Sequence, residues 1–255
     1  MPHEQNMIDE TVGPLEEITG EAVRVLDAAN AEAIPLRLLG GLAIYLQSSS
    51  AKTHEQLKRA YKDLDFVVLA KFTGKTKALF AKLGYSANKN YNALHGHQRL
   101  LFWDEQHGRQ VDIFVDRMQM CHNIDFRSRL NIDERTLSLA DLMLTKLQIV
   151  EVNEKDMLDT MALFVDFEVE DSEKGINAAY ISGLTGSDWG LQKTLETNLK
   201  KMKTFASERN FPQHVQERID KLLARMEKQP KSFSWKTRAM VGERVRWYEL
   251  PEEPR

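Results

Sequence analysis

Three aspartates on two predicted strands have the types and spacing that could do chemistry. Asp63 and Asp65 open an apolar run that predicts a buried strand, and Asp112 lies between Val111 and Ile113 in a later one. Because residues i and i+2 of a strand point to the same face, we expect Asp63 and Asp65 to project side by side. Two carboxylates placed so closely repel each other unless a cation lies between them.

Oxygen ligands of this kind suit Mg²⁺, which binds through a few carboxylates and the phosphates of its substrate. Asp112, on a neighbouring strand, would complete a site for two metal ions. Two such ions stabilise both the attacking and the leaving oxygen of an in-line phosphoryl displacement. The sequence therefore predicts a site for two Mg²⁺ ions formed by Asp63, Asp65 and Asp112, with Mn²⁺ as the alternative metal.

Gly40 and Gly41 lie where a short predicted strand, residues 36–39, passes into a predicted helix over 42–47. The N-terminus of a helix presents free backbone N–H groups and the positive end of the helix dipole. Glycine lets a phosphate group approach those N–H groups closely. The pair therefore predicts a binding site for the phosphates of a nucleotide, and a tight turn without a ligand is the alternative.

Three segments, taken in chain order, resemble the DNA polymerase β-type nucleotidyltransferase superfamily. They are Leu-Gly-Gly at 39–41, Asp-Leu-Asp-Phe at 63–66 and Val-Asp-Ile at 111–113. The longer string at 59–66 is similar to the AbiEii-like branch, which includes toxins of toxin–antitoxin systems. Two further segments, 144–147 and 155–159, resemble a lysine-bearing helix and a basic-Asp-x-x-Asp helix of that branch. The resemblance covers roughly residues 34–165.

The resemblance implies a role for each of the three aspartates. Asp63 and Asp65 would bind both metal ions. Asp112 would bind the catalytic metal ion and help to deprotonate the acceptor hydroxyl.

The resemblance also implies which residues contact the nucleotide. Gly40 and Gly41 would hold its phosphates, and Lys146 would neutralise phosphate charge. Asp156 would orient Lys146 or contact the nucleotide. Asp156 has an alternative structural role, because an acidic residue in the first turn of a helix stabilises the helix dipole. The alternative for Lys146 is a solvated lysine on a helix surface.

The order of the predicted elements indicates two parts. Strands and helices alternate up to about residue 135, and the chain is mostly helical beyond it. Together with the resemblance, this predicts an α+β fold in which a palm-like mixed β-sheet flanked by helices precedes a mostly helical part. We assign 15–135 to a nucleotidyltransferase catalytic domain and 136–255 to a mainly helical C-terminal domain. Residues 1–14 are expected to form a loose tail, and 232–250 a small hairpin or an extended arm.

Composition excludes several classes of protein. The 255 residues include a single cysteine, which excludes an intramolecular disulfide framework and a multi-cysteine zinc site. With 42% hydrophobic and 29% charged residues, the chain has ordinary globular usage and is not wholly disordered. The longest apolar runs are too short to cross a bilayer, and no signal peptide is visible. We therefore expect a soluble cytoplasmic protein without a membrane partner.

Charge is unevenly distributed along the chain. Residues 191–255 carry 15 Lys and Arg against 9 Asp and Glu, whereas the whole chain has a net charge of −3. Four basic residues fall on one face of a helix predicted over 212–228: Arg218, Lys221, Arg225 and Lys228. They predict a groove for a nucleic-acid backbone, and a solvated helix face is the alternative.

These features together predict a Mg²⁺-dependent nucleotidyltransferase. An acceptor hydroxyl would attack the α-phosphate of an NTP, and pyrophosphate would leave. The basic C-terminal part favours an RNA end as acceptor, such as that of tRNA; a small molecule or a protein side chain is the alternative. The resemblance adds a cognate antitoxin protein as an expected partner. Two further alternatives stay open: a non-catalytic nucleotide-binding module with the same fold, and a metal-dependent hydrolase that uses the same carboxylates.

Overall fold

The computed structural model describes residues 13–250. The predicted N-terminal tail therefore lies almost wholly outside the described residues. The described part is a mixed α+β structure with one five-stranded sheet and two small two-stranded sheets. The coarse prediction of an α+β fold with a mixed sheet is confirmed.

Helices form most of the regular structure. Their bounds in chain order are α1 Ile18–Ala31, α2 Gly40–Gln47, α3 Ser49–Thr53, α4 Thr73–Lys82, α5 Lys89–His95, α6 Leu139–Leu147, α7 Glu154–Asp166, α8 Ala178–Ser187, α9 Trp189–Glu208, α10 Gln213–Lys228 and α11 Phe233–Val241. Among residues 13–250, no helix is both long enough and apolar enough to cross a membrane.

The strands form the central sheet and two small additions. Their bounds are β1 Arg37–Leu39, β2 Leu64–Val68, β3 Ser86–Ala87, β4 Arg99–Asp104, β5 Arg109–Val115, β6 Arg117–Gln119, β7 Asn123–Asp125, β8 Val169–Glu170 and β9 Ile176–Asn177. The central sheet has the order β1-β2-β5-β4-β3, with β2 and β5 parallel and the other pairs antiparallel. The strands that carry the predicted metal ligands are therefore neighbours inside the sheet.

The apolar core covers both faces of the inner strands. Val67 and Val68, which point to opposite faces of β2, are both fully buried. One continuous cluster of buried apolar side chains extends from Ala22 to Met226 and so crosses the predicted boundary at residue 135. Residues before and after position 135 therefore contribute to one hydrophobic core, and their division into two domains stays a prediction.

Side-chain caps fix the start of the two helices that carry the candidate lysine and aspartate. Ser138 accepts a hydrogen bond from the backbone N–H of Asp141 at the start of α6. Asn153 does the same for Asp156 at the start of α7. Each cap satisfies an N–H group that has no partner within its helix.

The prediction of a hairpin or extended arm over 232–250 is wrong for Phe233–Val241, which forms α11. Ser232 caps this helix by accepting a hydrogen bond from the N–H of Trp235, and Gly242 ends it with φ at +59°. The physical reason for the error is that α11 buries no residue fully. Its apolar residues Phe233, Met240 and Val241 are exposed, so they do not form the buried face whose spacing identifies a helix in a sequence.

Candidate active site

The structure brings the three predicted aspartates to one region of the central sheet. Asp65 in β2 and Asp112 in β5 are direct partners in the parallel register of the two strands. Asp63 lies one residue before β2 and is exposed, whereas Asp65 is half-buried and Asp112 is buried. The charge of Asp112 acts on both of the other carboxyl groups.

Without a cation, the negative charges of these carboxylates repel one another, and this repulsion disfavours their ionised forms. Burial, and then the charge of Asp112, raises the pKa of Asp65 to about 7. The same two causes, in the same order, raise the pKa of Asp63. A divalent cation between them would remove the repulsion, and hard oxygen donors are the ligands that Mg²⁺ prefers. The donor chemistry therefore fits the predicted metal.

The carboxylate of Asp112 is already engaged by two neighbours. Arg99 in β4 donates from Nε to Oδ1 over 2.7 Å, and Gln110 donates from Nε2 to Oδ2, also over 2.7 Å. Over the described residues, no three His, Cys, Asp or Glu side chains are arranged so that they could hold a metal ion together. Asp63, Asp65 and Asp112 are thus near one another, but they do not form a closed set of ligands.

The glycine pair lies directly beside the aspartates. Gly40 begins α2 with φ at +73°, a left-handed conformation that residues with a side chain rarely adopt. A Cβ atom at Gly40 would lie 2.6 Å from Oδ2 of Asp65. A Cβ atom at Gly41 would collide with the guanidinium of Arg59 and lie 2.8 Å from Oδ2 of Asp159. Both positions therefore require glycine, for backbone conformation or for space.

Lys146 lies in the same region, held between two carboxylates of α7. Its Nζ is 2.9 Å from Oδ1 of Asp156 and 2.8 Å from Oδ2 of Asp159, and only 11% of its side chain is exposed. Burial alone would lower the pKa of Lys146, but Asp159 and Asp156 outweigh it and raise the pKa, so the ammonium stays charged. Lys146 and Asp156 are therefore in direct contact, while an orienting role for Asp156 stays a prediction.

Two residues that were given no role from the sequence complete this network. Arg59 donates from Nε and Nη2 to the two carboxylate oxygens of Asp159, each over 2.7 Å. Its guanidinium also lies 4.1 Å from the ring centroid of Tyr61. A local signal existed for Asp159, because it shares a helix face with Asp156 three residues earlier. Arg59 and Asp159 are 100 residues apart in the chain, so no local pattern could pair them.

The basic face of α10 is partly used inside the protein. Arg218 donates to the backbone carbonyls of Phe164 and Val165 at the end of α7 and forms an ion pair with Glu168. Arg225 forms an ion pair with Asp171 at 3.2 Å. Two of the four arginines and lysines predicted to line a groove therefore serve intramolecular packing.

Comparison with known proteins gives no assignment, because no protein-family model and no curated protein matches this chain. The functional interpretation depends on the geometry of the residues described above.

Proposed function

We propose that this chain is a Mg²⁺-dependent nucleotidyltransferase of the DNA polymerase β type, which transfers NMP from an NTP to an acceptor hydroxyl. One observation carries the proposal. The register of two adjacent parallel strands sets Asp65 beside Asp112, and the carboxylate of Asp65 lies so close to Gly40 that a Cβ atom there would be 2.6 Å from Oδ2. Carboxylates for metal ions and a glycine turn for phosphates thus meet at one place.

The three aspartates are the residues that would hold the metal ions. When bound, Mg²⁺ neutralises charge on the phosphates and lowers the pKa of the attacking hydroxyl. In the proposed reaction the acceptor oxygen bonds to the α-phosphorus, and the bond from that phosphorus to the bridging oxygen breaks. Pyrophosphate leaves, and the proton of the hydroxyl passes to Asp112.

The phosphates of the NTP are assigned to the start of α2 and to Lys146. The backbone N–H groups at Gly40 and Gly41 supply hydrogen-bond donors at a helix N-terminus. Lys146 supplies a positive charge whose position Asp156 and Asp159 fix on two sides. Such preorganised groups stabilise a transition state because they need no rearrangement during the reaction.

The acceptor is proposed to be an RNA end, such as that of tRNA. The support is the excess of basic residues in 191–255. Since two arginines of α10 are engaged within the chain, the surface for RNA backbone is assigned to the rest of this basic region, where lysines and arginines lie at the surface. The proposed cellular partners are NTP, RNA and a cognate antitoxin protein.

A second candidate is a nucleotide-binding module that catalyses no transfer. The observation in its favour is the pair of hydrogen bonds that Arg99 and Gln110 make to Asp112. These two hydrogen bonds occupy part of each carboxylate oxygen within the protein and so leave Asp112 fewer positions for a metal ion or a proton.

Label transfer separates the two candidates. Purified protein is incubated with Mg²⁺, total cellular RNA and each of the four NTPs labelled at the α-phosphate. The matched variants are Asp63→Asn, which removes an exposed candidate ligand, and Asp27→Asn, which removes an exposed charge on α1. We expect label in RNA for the wild type and Asp27→Asn, and none for Asp63→Asn. Bound NTP without label in any acceptor would support the non-catalytic module instead.

A further inference from the structure

The strongest feature not used by the proposed reaction is the contact between Arg99 and Asp112. It is a charge-assisted hydrogen bond inside the candidate site, with 18% of the arginine side chain and 5% of the aspartate side chain exposed. Arg99 lies in β4 opposite Phe114, two register pairs from Asp112 and on the same face of the sheet. The antiparallel pairing of β4 and β5 therefore holds the guanidinium against the carboxylate that the proposed function needs for a metal ion.

This arrangement makes Arg99 and a divalent cation competitors for the same oxygen. Arg99 donates to Oδ1 of Asp112, the oxygen that Gln110 leaves for a cation, and a divalent cation at that oxygen would repel the guanidinium. Gln110 holds the other oxygen, Oδ2. If Arg99 leaves, Asp112 therefore keeps one hydrogen bond and gains one free oxygen. The carboxylate is held in place while its binding site for a cation opens.

Arg99 also has the chemistry to bind what arrives with the metal. A guanidinium presents five N–H donors in a plane and forms paired hydrogen bonds to phosphate. Its charge acts on Asp65 as well as on Asp112, so the guanidinium is close enough to both carboxylates to interact with them electrostatically. The side chain rests over the ring of Phe114, with the guanidinium carbon 5.0 Å from the ring centroid.

We propose that Arg99 blocks Asp112 from divalent cations in the free protein and releases it when the guanidinium binds the triphosphate of an incoming nucleotide. This inference rests on the proposed function, because it assumes that a nucleotide and a divalent cation bind at the three aspartates. Arg99 is then a positioning residue for Asp112 and a ligand for phosphate. Metal binding and nucleotide binding become linked, since each favours the same arrangement of Arg99.

The test measures Mn²⁺ affinity from the electron paramagnetic resonance signal of free Mn²⁺, with and without an NTP analogue that has a methylene group between its α- and β-phosphorus. The variants are Arg99→Gln and Arg99→Lys. The control is Arg127→Gln, which removes the same charge from an exposed ion pair with Asp125. Circular dichroism spectra establish that each variant is folded.

Removing the competing hydrogen bond is expected to tighten Mn²⁺ binding to Arg99→Gln about tenfold without nucleotide, as the strength of charge-assisted hydrogen bonds suggests. The analogue is expected to tighten Mn²⁺ binding to the wild type by a similar factor and to have little effect on Arg99→Gln. Arg99→Lys, which keeps the charge, retains part of the linkage. Arg127→Gln behaves as the wild type. In the double variant Arg99→Gln/Asp112→Asn, the gain in affinity disappears.

An unchanged or weaker Mn²⁺ affinity in folded Arg99→Gln would overturn the inference and make Arg99 a structural clamp. Asp63→Asn separates this failure from failure of the proposed function. If Asp63→Asn loses Mn²⁺ binding while Arg99→Gln has the wild-type affinity, the metal site at the aspartates is supported and the proposed role of Arg99 is contradicted. If the wild type binds no Mn²⁺ even with the analogue, the proposed function and the proposed role of Arg99 are both contradicted.

Discussion

Asp65→Asn is expected to stabilise the metal-free protein while removing a ligand that its proposed function needs. Asp65 is half-buried beside Asp112, and burial together with that neighbouring charge raises its pKa to about 7. Asparagine keeps the shape of the side chain but carries no charge. It therefore relieves the repulsion that the folded protein bears at neutral pH when no cation is present.

The magnitude follows from the pKa of Asp65 in the two states. Unfolded, the carboxyl group has a pKa close to 3.8, and folded it has a pKa of about 7. Between these values the folded protein binds more protons than the unfolded chain, so the free energy of unfolding falls as pH rises. Well inside this window each pH unit costs about 1.4 kcal/mol, and the cost grows by about 2 kcal/mol between about pH 5.5 and about pH 8, where the folded carboxyl group is nearly fully ionised. Above about pH 8 the cost stays nearly constant.

Urea denaturation in the presence of a chelator measures this effect. The difference in unfolding free energy between Asp65→Asn and the wild type is expected to grow by about 2 kcal/mol from about pH 5.5 to about pH 8.5, in favour of the variant. The control Asp27→Asn changes an exposed residue and is expected to stay within about 0.5 kcal/mol of the wild type at both pH values. Mg²⁺ with nucleotide should then stabilise only the wild type. A variant that is less stable than the wild type at high pH, or whose difference does not change with pH, would refute the reasoning.

Three further substitutions test other parts of the site. Gly40→Ala places a side chain on a residue with left-handed backbone conformation and is expected to lower the unfolding free energy by about 1 to 2 kcal/mol, measured by urea denaturation. The control is Gly74→Ala on α4, where an added Cβ atom would meet no neighbour. It is expected to leave the unfolding free energy unchanged or to raise it slightly. Asp159→Ala leaves the charges of Arg59 and Lys146 without their shared carboxylate, and the same assay should give a loss of about 3 kcal/mol. Lys146→Met is expected to weaken NTP binding at least about tenfold in calorimetry, since it removes a charge-assisted contact to phosphate. It is also expected to lower the unfolding free energy by about 3 kcal/mol, because it leaves the buried carboxylates of Asp156 and Asp159 without the ammonium between them. An unchanged affinity of the folded variant would place the phosphates elsewhere.

Local sequence patterns predicted the elements of the site well. Segments 144–147 and 155–159, which the resemblance places on helices, lie on α6 and α7, and the caps that begin these helices depend only on contacts three residues away. Strand β2 was predicted from its apolar run, and its burial on both faces explains why the run is continuous.

Contacts between distant segments could not be predicted in the same way. Strands β2 and β5 pair although β3 and β4 lie between them in the chain, so the register of Asp65 with Asp112 depends on the whole sheet. The contact of Arg99 with Asp112 had a usable signal, since β4 and β5 form a hairpin whose register sets Arg99 two pairs from Asp112, on the same face of the sheet. The predicted site did not include Arg99, because a pattern of carboxylates indicates ligands for a metal ion and not the arginine that pairs with one of them.

The central claim is that the aspartates support transfer of NMP to an acceptor. The most direct measurement compares pyrophosphate released with α-label incorporated, in one reaction that contains wild-type protein, Mg²⁺, NTP and RNA. We expect the wild type to release pyrophosphate and to incorporate label in equal amounts, and Asp63→Asn to give neither product. Release of pyrophosphate or phosphate without incorporated label would contradict it and indicate a metal-dependent hydrolase.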